Sequence, residues 1–175
     1  AQNHQLMLLH GAQGKGKSTF VRHLLPPELK DYYRNGMISP DNKDHLLQMS
    51  SCLLINLDEF DTLSPARMQE LKSLITQDVM NERKVYDIQN YTFIRRASFI
   101  ASTNNPHCLP DIGENRRILF NTLLEIDYHT PVNHQGIYAQ AYALYRQGFQ
   151  YWYENQEITF LNNRNEAFRQ KDPLE

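Results

Sequence analysis

An α/β fold built on a parallel sheet is predicted from three observations. Residues 6–10, 52–57 and 97–102 are short runs that are apolar almost throughout, as strands buried on both faces are. Each run stops at glycine or at polar residues, the place where open α/β sheets carry their ligand sites. Between the runs, apolar residues recur at helical spacing, as in Met68, Leu71, Leu74 and Ile75.

The chain has 175 residues, enough for one domain with a substantial core. Apolar residues make up 41% and charged residues 22%, the balance of an ordinary globular domain. The formal net charge of −2 excludes a global basic field for nucleic acid, so any such surface must be local. Cys52 and Cys108 are too few for a disulfide framework or a cysteine-rich zinc site, and read as buried free thiols. No apolar run approaches the roughly 20 residues of a membrane span, and there is no signal peptide. The expectation is a cytoplasmic protein. The chain starts without Met and ends abruptly at Asp172-Pro173-Leu174-Glu175, which reads as an excised segment of a longer protein.

The first strand, 6–10, runs into Gly11-Ala12-Gln13-Gly14-Lys15-Gly16-Lys17-Ser18-Thr19, a G-x-x-x-x-G-K-S loop between a strand and a helix. Gly11, Gly14 and Gly16 let the backbone fold so that successive N–H groups meet one oxyanion. Lys17 can reach the β- and γ-phosphates of a nucleotide, and the Ser18 hydroxyl can join a Mg²⁺ shell. A helix is predicted over 17–25, stopped by Pro26-Pro27. Residues 28–40 read as an irregular loop. Asp41 can cap a short helix through about Ser50, with Leu46, Leu47 and Met49 for its buried face.

The second strand, 52–57, ends in Asp58-Glu59, the pattern of a Walker B motif. Asp58 is the candidate Mg²⁺ ligand and Glu59 the candidate base for the attacking water. Ser64-Pro65 reads as an N-cap followed by Pro in the first turn, with the helix running to about Thr76. Val85–Ile88 and Tyr91–Ile94 alternate around Gln89-Asn90, which predicts a hairpin or protruding loop flanked by Arg83, Lys84, Arg95 and Arg96. The third strand, 97–102, ends in Thr103-Asn104-Asn105-Pro106. Beside Walker B, Asn104 is the candidate sensor of the γ-phosphate or the attacking water. Arg116 and Arg117 lead into Ile118-Leu119-Phe120 and are candidates for an arginine finger, not separable from each other. Residues 123–127 are assigned a last strand.

From Asn133 a long helix is predicted, with Ile137, Ala141, Leu144, Gly148 and Trp152 on one face. Its tyrosines, Tyr138, Tyr142, Tyr145, Tyr151 and Tyr153, read as inter-helix or core packing and not as base stacking. A second helix covers 157–170. The division expected is a core over 1–130 and a C-terminal helical segment over 131–175. No internal repeat or low-complexity segment interrupts it.

Adjacent Asp58-Glu59 points to an ATPase with a catalytic glutamate. Asn42-Lys43-Asp44-His45 fails the guanine-reading pattern of a GTPase at its fourth residue. The order of motifs resembles the virulence-associated protein E family, P-loop ATPases of mobile elements related to superfamily 3 helicases in the AAA+ group. The matching pieces are 11–20, Leu-Asp-Glu-Phe-Asp at 57–61, 71–76, Arg-Lys-Val-Tyr at 83–86, 95–104 and Leu-Pro-Asp-Ile-Gly-Glu-Asn-Arg-Arg at 109–117, with a similar tail around Tyr138–Trp152.

The resemblance implies a three-layer P-loop NTPase core with parallel strand order 5-1-4-3-2. It implies ATP and Mg²⁺ as cofactors and a ring of identical subunits in which an arginine of one completes the neighbour's site. It also implies unwinding or replication of DNA, single-stranded DNA being the expected partner. The negative net charge and the few basic residues of 78–96 leave DNA translocation resting on the resemblance alone. Two other readings stay open: a small-molecule P-loop kinase, and a nucleotide-gated assembly module without motor activity.

Overall fold

The computed structural model describes residues 3–58, 60–83, 90–109 and 115–170. Five strands form one sheet: β1 (Leu6–His10), β2 (Tyr33–Asn35), β3 (Leu54–Leu57), β6 (Ser98–Thr103) and β7 (Ile118–Thr122). Two more, β4 (Val79–Arg83) and β5 (Asn90–Ile94), pair only with each other. The large sheet runs β2-β3-β6-β1-β7, and every pairing in it is parallel. Counted among these five strands alone, that is 2-3-4-1-5, the implied order read from the other edge.

Side chains alternate across the strands and bury both faces. Leu6, Leu8, Ile55, Leu57, Phe99, Ala101, Ile118 and Phe120 share one core with two helices, α2 (Lys43–Ser51) and α3 (Pro65–Thr76). Those helices contribute Leu46, Met49, Met68, Leu71, Leu74 and Ile75. The other face, Leu9, Leu54 and Ile100, packs on Val21 of α1 (Lys17–Arg22). Helix, sheet and helix make three layers. Each fully buried aliphatic or phenyl side chain contributes about 1.5–3 kcal/mol through loss of apolar surface to water.

The local signals are used much as read. Ser64 caps α3, accepting a hydrogen bond from the Arg67 N–H, and Pro65 fills its first turn. The cap of α2 is Asn42, one residue beyond the expected Asp41; its side chain accepts from the Asp44 and His45 N–H groups. Cys52 and Cys108 are free and buried, and burial pushes the Cys108 thiol up to about 11.

Four further expectations are corrected. The loop assigned to 28–40 contains a 3₁₀ turn over Pro27–Tyr32 and the edge strand β2. The hairpin is present, but its register pairs Arg83 with Asn90, so its first strand is 79–83 and Gln89-Asn90 is not its turn. Val85–Ile88 lie outside the described residues. Residues 123–127 form no strand; the last strand of the sheet is β7, and Leu124 is 91% exposed.

The fourth concerns the C-terminal segment, which holds α4 (His134–Arg146) and α5 (Asn155–Glu166). Gly148, at φ +74°, ends α4 by taking a left-handed conformation, and the Phe149 N–H reaches back to the Leu144 carbonyl. Trp152 therefore lies beyond the helix. The tyrosines of α4 are not core: no residue of the helix is buried, and Tyr142 and Tyr145 are 61% and 73% exposed, while Tyr151 beyond it packs edge-on against Trp152. No helix among the described residues is long and apolar enough to cross a membrane.

One cation is absorbed by the fold. Arg95 is buried, and its guanidinium donates to the carbonyls of Gln77 (3.1 Å), Ala97 (2.7 Å) and Asn3 (2.8 Å). It also lies 3.7 Å from Asp78 and over the Phe99 ring. It ties the hairpin to the N-terminal end of the sheet, and its burial keeps it from a nucleic acid. Arg96 is exposed. Arg95→Ala should lower unfolding stability by on the order of 3 kcal/mol in urea melts, because three carbonyl oxygens lose their donor. A change within 0.5 kcal/mol, in the range of an ordinary surface substitution, would contradict the anchoring role.

Candidate phosphate and cation site

In a parallel sheet all C-terminal strand tips lie at one end. Here the tips of β1, β3 and β6, three neighbours in the sheet, open into a cavity of about 520 Å³. Gln13–Thr19, Asp58, Asp61, Ser102, Thr103, Asn104 and Tyr128 line it.

The loop after β1 holds Gly14 and Gly16 at φ +78° and +79°, a conformation that side-chain-bearing residues rarely adopt. Gly16 is also the N-cap of α1 and offers no capping side chain, so the first N–H groups of α1 keep their capacity for an anion. Gly11 packs against the Leu123 carbonyl just beyond β7, where a Cβ would sit 3.2 Å from the oxygen. Lys17 folds back over this loop, its Nζ donating to the carbonyls of Gly11 (2.6 Å) and Ala12 (2.9 Å). Burial pushes its ammonium below the ordinary value, and the Asp61 carboxylate works the other way.

Asp58 is the focus of the cavity. Its carboxylate accepts from the Ser18 hydroxyl (3.3 Å), the Ser102 hydroxyl (3.4 Å), the Asn56 amide (2.9 Å) and the Asn35 amide. Asn35 and Asn56 are directly opposite each other on β2 and β3, and the Asn56 amide also donates to Asn35 Oδ1 at 2.6 Å. Two strands thus hold one carboxylate from beneath, leaving it beside the Ser18 hydroxyl. A carboxylate and a hydroxyl at this separation are oxygen donors of the kind Mg²⁺ takes, with waters and phosphate completing its shell. Among the described residues no group of three or more His, Cys, Asp or Glu could hold a metal ion. The donor set fits a hard cation shared with a phosphorylated ligand.

Asn104 is exposed at the mouth of the cavity, on a tip fixed by the Thr103 hydroxyl, which accepts from the Asn105 N–H at 3.0 Å. His10, the last residue of β1, is held below its ordinary pKa by burial, then by the charge of Lys17; a backbone hydrogen bond at Asn104 opposes both. Glu59 lies outside the described residues.

The structure does not bring the arginine pair to this cavity. Arg116 and Arg117 precede β7, and the Arg117 carbonyl accepts from the Leu6 N–H at the start of β1. They are a strand length away, about 16 Å at ~3.3 Å per residue, at the opposite end of the sheet. There they line a second cavity of about 520 Å³ with His4, Asp78, Tyr151, Trp152 and Tyr153. A buried polar network sets their position. The ammonium of Lys72 donates to Asn115 Oδ1 at 2.9 Å, and the Asn165 amide donates to the carbonyls of Asn115 and Ile118, both at 2.9 Å. Lys72 is held below its ordinary pKa by burial and then by the charge of Arg117.

Asn35, Asn56, Asp61 and Tyr128 are site residues that sequence reasoning missed. Asn56 had a readable signal, being the one polar residue in an otherwise apolar strand. Asp61 follows closely on Asp58. Asn35 and Tyr128 reach the cavity by strand pairing and loop course, for which no local pattern exists.

The model of the virulence-associated protein E-like domain matches residues 1–170. No curated protein matches the chain. Solved structures with a similar fold include the apo structure of the NrS-1 C-terminal region (305–718), at 16% identity and a TM-score of 0.53, covering 95% of this chain and 36% of that one. The A form apo structure of the same region aligns at 16% identity and a TM-score of 0.49, covering 95% and 35%. The chain thus spans little more than a third of the length of those structures, and the likeness is one of fold.

His10 ties the stability of the fold to pH. Its folded pKa lies below the unfolded value of about 6.5, so between the two the unfolded chain binds the extra proton. The stability is whole above about pH 6.5 and falls as pH drops toward the folded pKa. Unfolding at pH 7.5 and 5.5 should show this fall, and His10→Gln should remove part of it. His45, also depressed by burial, supplies another part. An identical fall in His10→Gln would exclude His10 as its source.

Proposed function

The chain belongs to the virulence-associated protein E-like domain family, and we propose that it is a Mg²⁺-dependent ATPase that works on single-stranded DNA in the replication of a mobile element. The observation that carries the reading is the Ser18 hydroxyl 3.3 Å from the Asp58 carboxylate, beneath a glycine loop crossed by Lys17. Nucleotide phosphates take the loop N–H groups, and Lys17 exchanges the carbonyls of Gly11 and Ala12 for the β- and γ-phosphate oxygens. Ser18 and Asp58 would hold Mg²⁺, which would supply positive charge beside the transferring phosphoryl group. Asn35 and Asn56 keep the Asp58 carboxylate in the orientation that this requires. Glu59, next to Asp58 in sequence, takes the proton of the attacking water, and Asn104 orients that water.

Arg116 or Arg117 supplies the guanidinium from a second copy of the chain, since its own lies at the far end of the sheet. In the proposed assembly this head-to-tail contact repeats around a closed ring. A second reading has an observation of its own. Arg95 is consumed by the fold, which leaves the hairpin less basic than its sequence, and α4 exposes an aromatic face; both suit a nucleotide-gated assembly module. Hydrolysis that single-stranded DNA leaves unchanged would favour the module over the motor. A phosphorylated small-molecule product would indicate a kinase.

Lys17→Ala should abolish ATP binding in a titration. Glu59→Gln should bind ATP and lose turnover by a factor on the order of 10²–10⁴, the span of general-base catalysis. Wild-type turnover in Glu59→Gln would overturn the assignment of the base. For the arginines, mixing Arg117→Ala or Arg116→Ala with Lys17→Ala should restore part of the ATPase rate, because intact half-sites then meet. No recovery with either arginine would leave the finger in trans without support.

A further inference from the structure

The connection from β7 to α4 has no part in the hydrolysis just described, yet it touches the glycine loop and α1 along their whole length. At the start of the loop, the Leu123 N–H donates to the His10 carbonyl at 2.8 Å, and the Leu123 carbonyl packs on Gly11. At the end of the loop, Tyr128 lies on Gly16. Past α1, the His134 ring bonds the His23 carbonyl at 2.7 Å, and the Tyr138 hydroxyl donates to the Leu24 carbonyl at 3.3 Å. One segment thus straps the loop and its helix from before the first glycine to beyond the last helical turn.

The contact at Gly16 is the closest of these. A Cβ added there would fall 2.1 Å from ring Cδ1 of Tyr128 and 2.4 Å from Cε1, so the ring fills the space where a side chain would stand. Gly16 has φ +79° and is the N-cap of α1. The ring therefore rests on the residue whose left-handed backbone turns the loop into the helix. The ring is itself held. Asp127 fixes a turn around it, its carboxylate accepting from the N–H groups of His129 (3.1 Å) and Thr130 (3.0 Å) and from the Thr130 hydroxyl (2.6 Å). The His129 ring lies against it as well, 4.2 Å away and tilted by 37°. Tyr128 is half-buried and belongs to neither apolar core of the sheet, so core packing does not account for its place.

We propose that Tyr128 is a positioning residue for the phosphate loop: its ring clamps Gly16, so that the loop holds its anion-binding conformation before a ligand arrives. The inference rests on the nucleotide-binding reading and adds a residue that acts through the loop and not on the ligand. Gly14 and Gly16 give the loop the conformation it needs, but glycine also has the most backbone freedom to lose on ordering. A loop that is competent for only part of the time binds with an affinity reduced by that fraction. A ring packed on Gly16 removes some of the freedom beforehand, which is preorganisation.

The experiment measures binding of Mg²⁺-ATP and of Mg²⁺-tripolyphosphate, which carries the phosphates without the base, by calorimetry. The proteins are the wild type, Tyr128→Phe, Tyr128→Leu and Tyr128→Ala, each checked for folding by circular dichroism. Tyr128→Ala should weaken both ligands by the same factor, about tenfold if the competent loop falls to about a tenth of the population. Tyr128→Leu should weaken both by a smaller common factor, and it carries the test if the alanine variant does not fold. Tyr128→Phe keeps the ring and should stay within about twofold of the wild type for both ligands. In ATP turnover the truncated variants should raise KM and leave kcat, because saturating ligand restores the loop. Unchanged affinities in the truncated variants would overturn the proposal. So would a loss of ATP binding alone, which would set the ring against the base and not the loop. A Tyr128→Phe as weak as Tyr128→Ala would also overturn it, giving the role to the hydroxyl. A wild type that binds neither ligand overturns the phosphate site itself, and the positioning role with it.

Discussion

The rest of the structure depends on the parallel direction of its five sheet strands. That direction sends every C-terminal tip to one end, so that the loop after β1, the Asp58 turn after β3 and the Thr103-Asn104 tip after β6 meet in one cleft. The same direction fixes what cannot be there. Whatever precedes a strand lies at the other end, and the arginines precede β7. No side-chain rotation spans the strand length between them and the Lys17 loop. The separation of the glycine loop and the guanidinium pair is a property of the topology.

The cleft is held by polar groups where an apolar core would be the simpler solution. Asn56 is fully buried between β2 and β6, and Asn35 faces it from a strand of only three residues. A buried amide that loses water without partners costs on the order of 1–3 kcal/mol. The Asn56 Nδ2 donates to Asn35 and to Asp58, which offsets its share of that cost, while the buried Asn56 Oδ1 has no partner. Such a network does little for stability that leucine would not do better. What it supplies is a carboxylate of fixed orientation beside Ser18. The Lys72–Asn115–Asn165 network does the same at the opposite end, where it fixes the backbone that carries the arginine pair. Both ends of the sheet therefore give up apolar packing for placement.

What was legible in the sequence follows from the range of the forces involved. The runs at 6–10, 52–57 and 97–102 were readable because burial on both faces demands apolar residues at every position, and Ser64-Pro65 because an N-cap is chemistry between neighbours. β2 was not readable. Tyr33-Arg34-Asn35 carries no strand pattern, and only pairing with β3 makes it one. The hairpin was recognised from its alternation, but its turn was misplaced, because the period fixes faces and not register. Gly148 falls at helical spacing on an apolar face of the sequence, whereas its freedom at positive φ ends the helix. In the site, Lys17, Ser18, Asp58 and Asn104 were legible as motif chemistry, and Asn35 and Tyr128 were not, since they arrive by tertiary placement.

The exposed aromatics of the C-terminal segment now acquire a different meaning from the packing read into them. Ile137, Tyr142, Tyr145 and Phe149 are more than half exposed, and α4 meets the core chiefly through polar contacts. The His134 ring bonds the His23 carbonyl, and the Tyr138 hydroxyl donates to the Leu24 carbonyl, both just past α1. A helix held by its first turns at the end of α1 is attached to the element whose N-terminus follows the glycine loop. α1 is only six residues long. The glycine loop lies at one end of α1, and α4 is fastened at the other. The exposed face of α4 thus hangs from the same short helix as the glycine loop, while the arginine pair lies at the far end of the sheet.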